Sequence, residues 1–158
     1  MGKVIEASEA RELREEARRK GMKIVFTNGV FDILHVGHLE YLTKSKKLAD
    51  LLIVGVNSDS SAKLLKIEGR PLNGDSDRAE LLSGMECVDA IVIFSEETPL
   101  ELIKILKPDF LVKGSDYSLD KIVGREFVES YGGEVLSIPI KSGYSTSSLI
   151  EKISKGKL

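Results

Sequence analysis

The chain carries only two histidines, and both fall in one short stretch, "TNGVFDILHVGHLEYL" (Thr27 to Leu42), as His35 and His38. Side chains three positions apart on a helical turn point the same way. The stretch follows the β-rich run "KIVFT" and leads into an amphipathic pattern, so the pair should sit at the amino terminus of a helix. Free backbone N–H groups there favour an anion. Two imidazoles aimed at the same spot are donors that can stabilise charge developing on phosphorus. Asn28-Gly29 suits a tight turn, and Gly37 offers close backbone approach. Zinc is the competing reading of HxGH, but it wants further Cys or His ligands. The chain has no third histidine, and its one cysteine, Cys87, lies in the helical "GMECVD". A phosphate site is the better account.

The elements that would position this site alternate along the chain. "KIVFT" (23–27), "LLIVGV" (51–56), "AIVIF" (90–94), "FLVK" (110–113) and "EVLSIP" (134–139) are short and apolar throughout, as strands buried on both faces of a parallel sheet read. Between them, "HLEYLTKSKKL", "SDRAELLSGME", "TPLELIKILK" and "REFVESYG" space apolar residues by three and four. Thr98-Pro99 predicts a helix start, with a capping hydroxyl and proline at the first helical position. The expected fold is α/β, a Rossmann-like, doubly wound, mainly parallel five-stranded sheet with helices on both faces. Residues 1–21 read as a helical extension with Ala10, Leu13 and Ala17 on one side, 22–153 as the core, and 154–158 as a tail.

Composition narrows the classes. At 158 residues, 42% hydrophobic and 30% charged, the chain reads as one globular domain. A net charge of −2 argues against a broad nucleic-acid-binding face. No apolar run approaches the ~20 residues that span a bilayer, and "MGKVIEASEARELREEARRKG" is not signal-like. The lone cysteine fits a reducing compartment, so a cytoplasmic location is expected. The sequence lacks GxxxxGK[ST], a GxGxxG after the first strand, and GxSxG. P-loop enzymes, Rossmann dehydrogenases and the common hydrolases are disfavoured accordingly.

The residues also carry a resemblance. "NGVFDILHVGH" is similar to the G-x-F-D-x-x-H-x-G-H signature of the nucleotidyltransferase superfamily that includes the cytidylyltransferases. "GVNSD", "GRPL", "DRAELL", "LVKGSDY" and "GYSTSSLIEKI" follow in order, and the likeness covers roughly Lys23 to Ile153. Within the superfamily the chain resembles the adenylyltransferase half of the bifunctional heptose kinase/adenylyltransferases of lipopolysaccharide synthesis. The resemblance implies ATP plus D-glycero-β-D-manno-heptose 1-phosphate giving ADP-heptose and pyrophosphate, with Mg²⁺. It further implies a separate sugar kinase upstream and allows a homodimer.

It also implies roles. His35 and His38 would act on the α- and β-phosphates, and the backbone of Thr27, Asn28, Gly29, Val30 and Phe31, with Gly37, would wrap them. Asp32 either fixes that loop or holds Mg²⁺ through water. Lys63 or Lys66 would contact phosphate, and the spacing does not choose between them. Arg78 matches the family's arginine at a helix start, expected on substrate or phosphate; Arg70, in "GRPL", would reach the sugar phosphate. Lys113, Gly114 and Asp116 in "KGSDY" would serve the nucleotide, Asp116 on ribose hydroxyls and Lys113 on phosphate, or else the turn itself. Tyr144, Ser145, Thr146 and Ser147 read as a second anion site at a helix start. An N-cap explains one of those hydroxyls. The wider family often carries a basic residue shortly before this Ser-Thr pair; here Lys141 is the only cation and is not clearly aligned with it. Two rivals stand beside this reading: a cytidylyltransferase for glycerol 3-phosphate or another phospho-alcohol, and a non-catalytic nucleotide-binding regulator.

Overall fold

The computed structural model describes residues 1–65, 69–116 and 118–156. Six strands form one sheet: β1 (Lys3–Val4), β2 (Ile24–Gly29), β3 (Leu51–Asn57), β4 (Ala90–Phe94), β5 (Phe110–Gly114) and β6 (Glu134–Ile138). Their order is β1-β4-β3-β2-β5-β6, and every pair is parallel. The helices are α1 (Ala7–Arg19), α2 (Val36–Lys46), α3 (Asp59–Leu64), α4 (Asp75–Ser83), α5 (Leu100–Leu106), α6 (Arg125–Ser130) and α7 (Thr146–Ser154). The α/β, doubly wound, single-domain reading holds, with six strands in place of five.

The additional strand is β1, which pairs Lys3 with Ala90 and Val4 with Ile91. Two residues are too few to show an alternation, so the segment before α1 joins the sheet edge unannounced. Ala10 and Ala17 of α1 are buried and Leu13 packs with them, against a core shared with Leu102, Ile103 and Leu106 of α5. That core covers one face of the sheet. Tyr41 and Leu42 of α2 and Ala79 and Leu82 of α4 cover the other, over Val25, Leu52, Val54 and Val112. Burial on both faces is why the strands read as continuous apolar runs.

α5 begins at Leu100 with Pro99 at the cap position and no side-chain cap bond, one step later than the Thr98-Pro99 signal predicted. Thr98 is left exposed.

The chain runs from β2 outward to β3 and β4, then returns to place β5 and β6 on the opposite side of β2. Strand order therefore reverses between β2 and β5, and a ligand crevice belongs outside the carboxyl ends of those two strands. Among the described residues no helix is long and apolar enough to cross a membrane.

Candidate active site

β2 delivers the site. Asn28 and Gly29 are its last two residues, in register with Gly55 and Val56 of β3, so they extend the strand rather than turn it. The turn comes later, where Phe31 (φ 53°) and Ile33 (φ 49°) both adopt the left-handed conformation. Each costs roughly 1–2 kcal/mol for a side-chain-bearing residue, and such strain persists only where surroundings over-determine it. Here they do. Phe31 is buried with its ring edge-on to His38, centroids 5.5 Å apart. Between the two strained residues, the Asp32 carboxylate accepts the backbone N–H of Leu72 (2.8 Å) and of Asn73 (3.1 Å).

That loop ends at His35, the N-cap of α2. The Gly37 N–H donates to His35 Nδ1 at 3.1 Å, which leaves the ring proton on Nε2, free to donate outward. Gly37 is required for this: a Cβ there would lie 2.9 Å from the same Nδ1. His38 stacks on His35 with centroids 3.9 Å apart and planes 25° apart. Two imidazolium ions could not share that stack. Burial lowers the pKa of His35, and burial together with the nearby His35 lowers that of His38 to about 4. Both rings are neutral at physiological pH. His38 Nδ1 and Asn28 Oδ1 are buried with no hydrogen-bond partner among the described residues. Buried polar atoms are rarely left so, and both residues line one cavity.

Arg78 departs from its expected phosphate contact. It is fully buried, and its guanidinium donates to the carbonyls of Asn73 (3.0 Å), Asn57 (2.9 Å) and Val30, and to Asp59 Oδ1 (2.8 Å). Four N–H bonds tie the loops after β2 and β3 to the start of α4. Asp32 likewise turns out to fix its loop, the first of its two readings, since its carboxylate is occupied by backbone N–H groups. Thr27 is fully buried and its hydroxyl pairs with Tyr41 Oη at 2.8 Å. Strand alternation turns the Thr27 side chain toward α2. Lys63 is exposed on α3 and lines none of the cavities described below, whereas its neighbour Ala62 does. Lys66 lies outside the described residues.

At the end of β5, Lys113 Nζ donates to the Asn28 carbonyl at 2.9 Å, bridging the two strands that flank the reversal. Burial pushes its pKa down to about 8, against the opposing pull of Asp116. Gly114 makes room for Asp116, whose Oδ1 would lie 2.7 Å from a Cβ at that position. At α7, the hydroxyls expected to hold an anion are largely engaged within the protein. Ser145 and Ser148 form a reciprocal capping box, and Thr146 Oγ1 donates to the Asp32 carbonyl at 2.9 Å. Ser147 Oγ accepts from Arg70 Nη2 at 3.3 Å. Tyr144 is partly exposed beside this turn.

Two cavities include His38, and a third adjoins one of them. The larger of the two that include His38, about 430 Å³, is walled by Asn28, Val30, Phe31, Lys113 and Asp116, and by residues not expected in the site: Asn57, Leu65, Glu97, Thr98, Lys121, Ile122. A second, about 180 Å³, shares Val30, Phe31 and His38 with it and adds Asp32, Arg70 and Thr146. The third lies on the other side, sharing Asp116 and Ile140 with the first and adding Tyr144, Ser145 and Ser148. Asn57 was visible as the polar residue ending an apolar run, and Thr98 only as a helix-start signal.

Among the described residues, no group of three or more His, Cys, Asp or Glu is placed to hold a metal ion. Asp32 and Asp59, the carboxylates beside the loop, are occupied by N–H donors. A Mg²⁺ ion carried by phosphates and water would need no such group.

The family model described as cytidylyltransferase-like matches residues 26–152. Among curated relatives, "Bifunctional protein HldE" of Syntrophotalea carbinolica is 51% identical over 143 residues, 90% of this chain and 29% of the relative. The protein of the same name from Geobacter sulfurreducens is 53% identical over 138 residues, 87% of this chain and 28% of its own length. The chain thus spans under a third of the length of these relatives. Among solved structures, the crystal structure of the lipopolysaccharide core biosynthesis protein from Thermoplasma volcanium GSS1 superposes with a TM-score of 0.63 at 34% identity, covering 79% of this chain and all of that one. With the sheet reversal, the stacked HxGH pair and a family match over four-fifths of its length, the chain belongs to the cytidylyltransferase-like family of nucleotidyltransferases.

Proposed function

We propose that the chain joins ATP to D-glycero-β-D-manno-heptose 1-phosphate, giving ADP-heptose and pyrophosphate. The observation that carries this reading is the neutral His35–His38 pair at the start of α2, with His38 lining two cavities. The likeness to the bifunctional relatives and to the lipopolysaccharide core biosynthesis protein named above supports a substrate of this class.

The chemistry asks little of the protein beyond position and charge. The nucleophile is a phosphate oxygen, already largely dianionic above its second pKa of ~6, so no general base is needed. Attack on the α-phosphorus and departure of pyrophosphate lie roughly in line. His35 Nε2–H and the His38 ring donate to the phosphate oxygens as charge builds, a contribution worth about 10²–10³ in rate for one such donor. The strained loop, pinned by Asp32 and Arg78, fixes the rings before substrate arrives, so no reorganisation is needed at the moment of reaction. Lys113 supplies a buried positive charge between β2 and β5. Asp116 and Tyr144 bound the cavity for the nucleoside, and Asn57 and Thr98 offer polar groups to sugar hydroxyls in the larger cavity beside His38. Arg78, Asp32 and Thr27 act through the loop and Tyr41 rather than on substrate. A kinase acting on the sugar's anomeric carbon must supply the acceptor, and the demand for ATP places the reaction in the cytoplasm.

The test is pyrophosphate release with Mg²⁺ across ATP, CTP and GTP, each against heptose 1-phosphates and glycerol 3-phosphate. Turnover confined to ATP with the β-heptose phosphate is expected. Turnover with CTP and a polyol phosphate would keep the chemistry and overturn the substrate.

A further inference from the structure

The larger cavity beside His38 draws its wall from both sides of the sheet reversal. Counted outward from β2, which leads to the histidines, β5 and β6 lie one way and β3 and β4 the other. Lys113, Asp116 and Ile140 line the cavity from the β5–β6 side. Asn57, at the end of β3, and Glu97 and Thr98, in the loop after β4, line it from the β3–β4 side. The adjoining cavity assigned to the nucleoside, with Tyr144, shares Asp116 and Ile140. The nucleotide therefore occupies the β5–β6 side, and the β3–β4 side is left for the acceptor.

The loop after β4 is fixed from below. The Ser58 N–H donates to the Phe94 carbonyl at 2.9 Å. Asn57 Nδ2 donates to Ser61 Oγ (2.8 Å), which donates in turn to the Glu96 carbonyl (2.8 Å), and both Asn57 and Ser61 are buried. A satisfied buried polar relay of this kind rigidifies what it joins, here the backbone immediately before Glu97. Glu96 turns its carboxylate back on the loop and accepts the Ser95 N–H at 3.0 Å. Glu97 does not: among the described residues its carboxylate has no hydrogen-bond or ion-pair partner. The Thr98 hydroxyl is likewise free of a capping bond, because α5 starts at Leu100 without a side-chain cap. One anchored turn thus brings a carboxylate and a hydroxyl to the cavity wall.

A carboxylate accepts hydrogen bonds without donating any, and its two oxygens can take two donors side by side. Hydroxyls supply such donors, whereas a phosphate dianion supplies none and is repelled. The acceptor's phosphate has to reach the nucleotide, so the part of the acceptor that meets Glu97 is its uncharged remainder. We propose that Glu97 is a specificity-determining residue for the acceptor, accepting two hydroxyls of a polyhydroxylated sugar phosphate. This rests on the nucleotidyl-transfer reading above. Glu97 takes no part in the bond changes at phosphorus, so it acts on the choice of acceptor and not on the chemical step.

Deleting hydroxyls from the acceptor and the carboxylate from the protein tests this pairing. Wild type, Glu97→Ala and Glu97→Gln are assayed with Mg-ATP and a series of sugar 1-phosphates that each lack one hydroxyl. In wild type, losing a hydroxyl bound by Glu97 should cost about ten- to a hundred-fold in kcat/KM, carried by KM, the range for a hydrogen bond to a charged group. Glu97→Ala should show a loss of that size with the parent sugar, the KM for ATP staying within about two-fold. It should show no further loss with the analogues lacking those hydroxyls, since the interaction is already gone. Glu97→Gln, which keeps one accepting oxygen, should fall between. Calorimetric binding of the same sugar phosphates beside α,β-methylene-ATP should repeat the pattern without turnover. Deoxy analogues that lose as much in Glu97→Ala as in wild type would overturn the proposal, as would a wild-type KM for the parent sugar in Glu97→Ala. If wild type binds the sugar phosphates through Glu97 yet transfers no nucleotide, the function fails while the hydroxyl assignment stands. If wild type binds none of them, both fall.

Discussion

The two ends of the sheet are built on opposite terms. At the amino-terminal end, carboxylates cap the strands. Asp50 accepts the Lys23 N–H (2.8 Å), Asp109 the Ile24 N–H (2.8 Å), and Asp89 the Leu52 N–H (2.6 Å) while pairing with Lys46 (2.7 Å). These polar groups are answered from within the chain. At the carboxyl end, Phe31 and Ile33 hold strained backbone, two histidines are kept neutral, and His38 Nδ1 and Asn28 Oδ1 have no partner among the described residues. One end is stabilised by satisfied polar groups; the other keeps its polar groups available for a ligand. Strain alone does not separate them, since Lys107 also has positive φ, as an ordinary left-handed cap at the end of α5.

Substitutions should therefore split by end. The largest effect is expected for the double variant His35→Ala/His38→Ala, with kcat down at least ~10³-fold, given roughly 10²–10³ for one donor. ATP affinity should stay within a few-fold. A comparable loss in both parameters would mean the pair binds the ground state and not the transition state. Next comes Lys113→Met, expected to cut kcat/KM about ten- to a hundred-fold by removing a charge-assisted contact. In wild type, kcat/KM should decline as pH rises through about 8, where Lys113 loses its charge; Lys113→Arg should flatten that limb. The same substitution should not lower the melting temperature at pH 7. Folding depresses the lysine's pKa, so wild-type stability rises with pH between about 8 and the unfolded value, and Lys113→Met should lose that rise.

At the other end, Asp109→Ala should cost about 1–3 kcal/mol of stability, the range for a hydrogen bond to a charged group, with kcat unchanged. An activity loss there would break the division between the ends. The smallest effect concerns acid. The pKa of His38 falls from 6.5 to about 4 on folding, so the unfolded chain binds the proton first. Its share of stability is complete above pH 6.5 and is lost as pH falls toward 4. Denaturant titrations should show a shallower acid decline in His38→Ala than in wild type.

How legible each end was follows from the range of its interactions. The five long strands were readable because burial on both faces leaves unbroken apolar runs, and the histidine pair because its geometry is local to one helical turn. β1 was not, being two residues long. Arg78 was expected on phosphate, and the choice for Asp32 stayed open, because much of what they bond is backbone 48 and 40 residues away, which no side-chain pattern records. Thr27 was assigned by proximity to the motif, although strand parity turns its side chain toward α2. The α7 hydroxyls looked like an excess over capping, but two cap the helix, one binds the Asp32 carbonyl and one receives Arg70.

The most direct test of the central claim follows phosphorus by ³¹P NMR in a reaction of wild-type protein with Mg-ATP and D-glycero-β-D-manno-heptose 1-phosphate. Attack at the α-phosphorus predicts equal build-up of pyrophosphate and of a diphosphate-linked adenosine–sugar product. Formation of ADP with a doubly phosphorylated sugar would place the attack at the γ-phosphorus. That result would contradict the role assigned to His35 and His38.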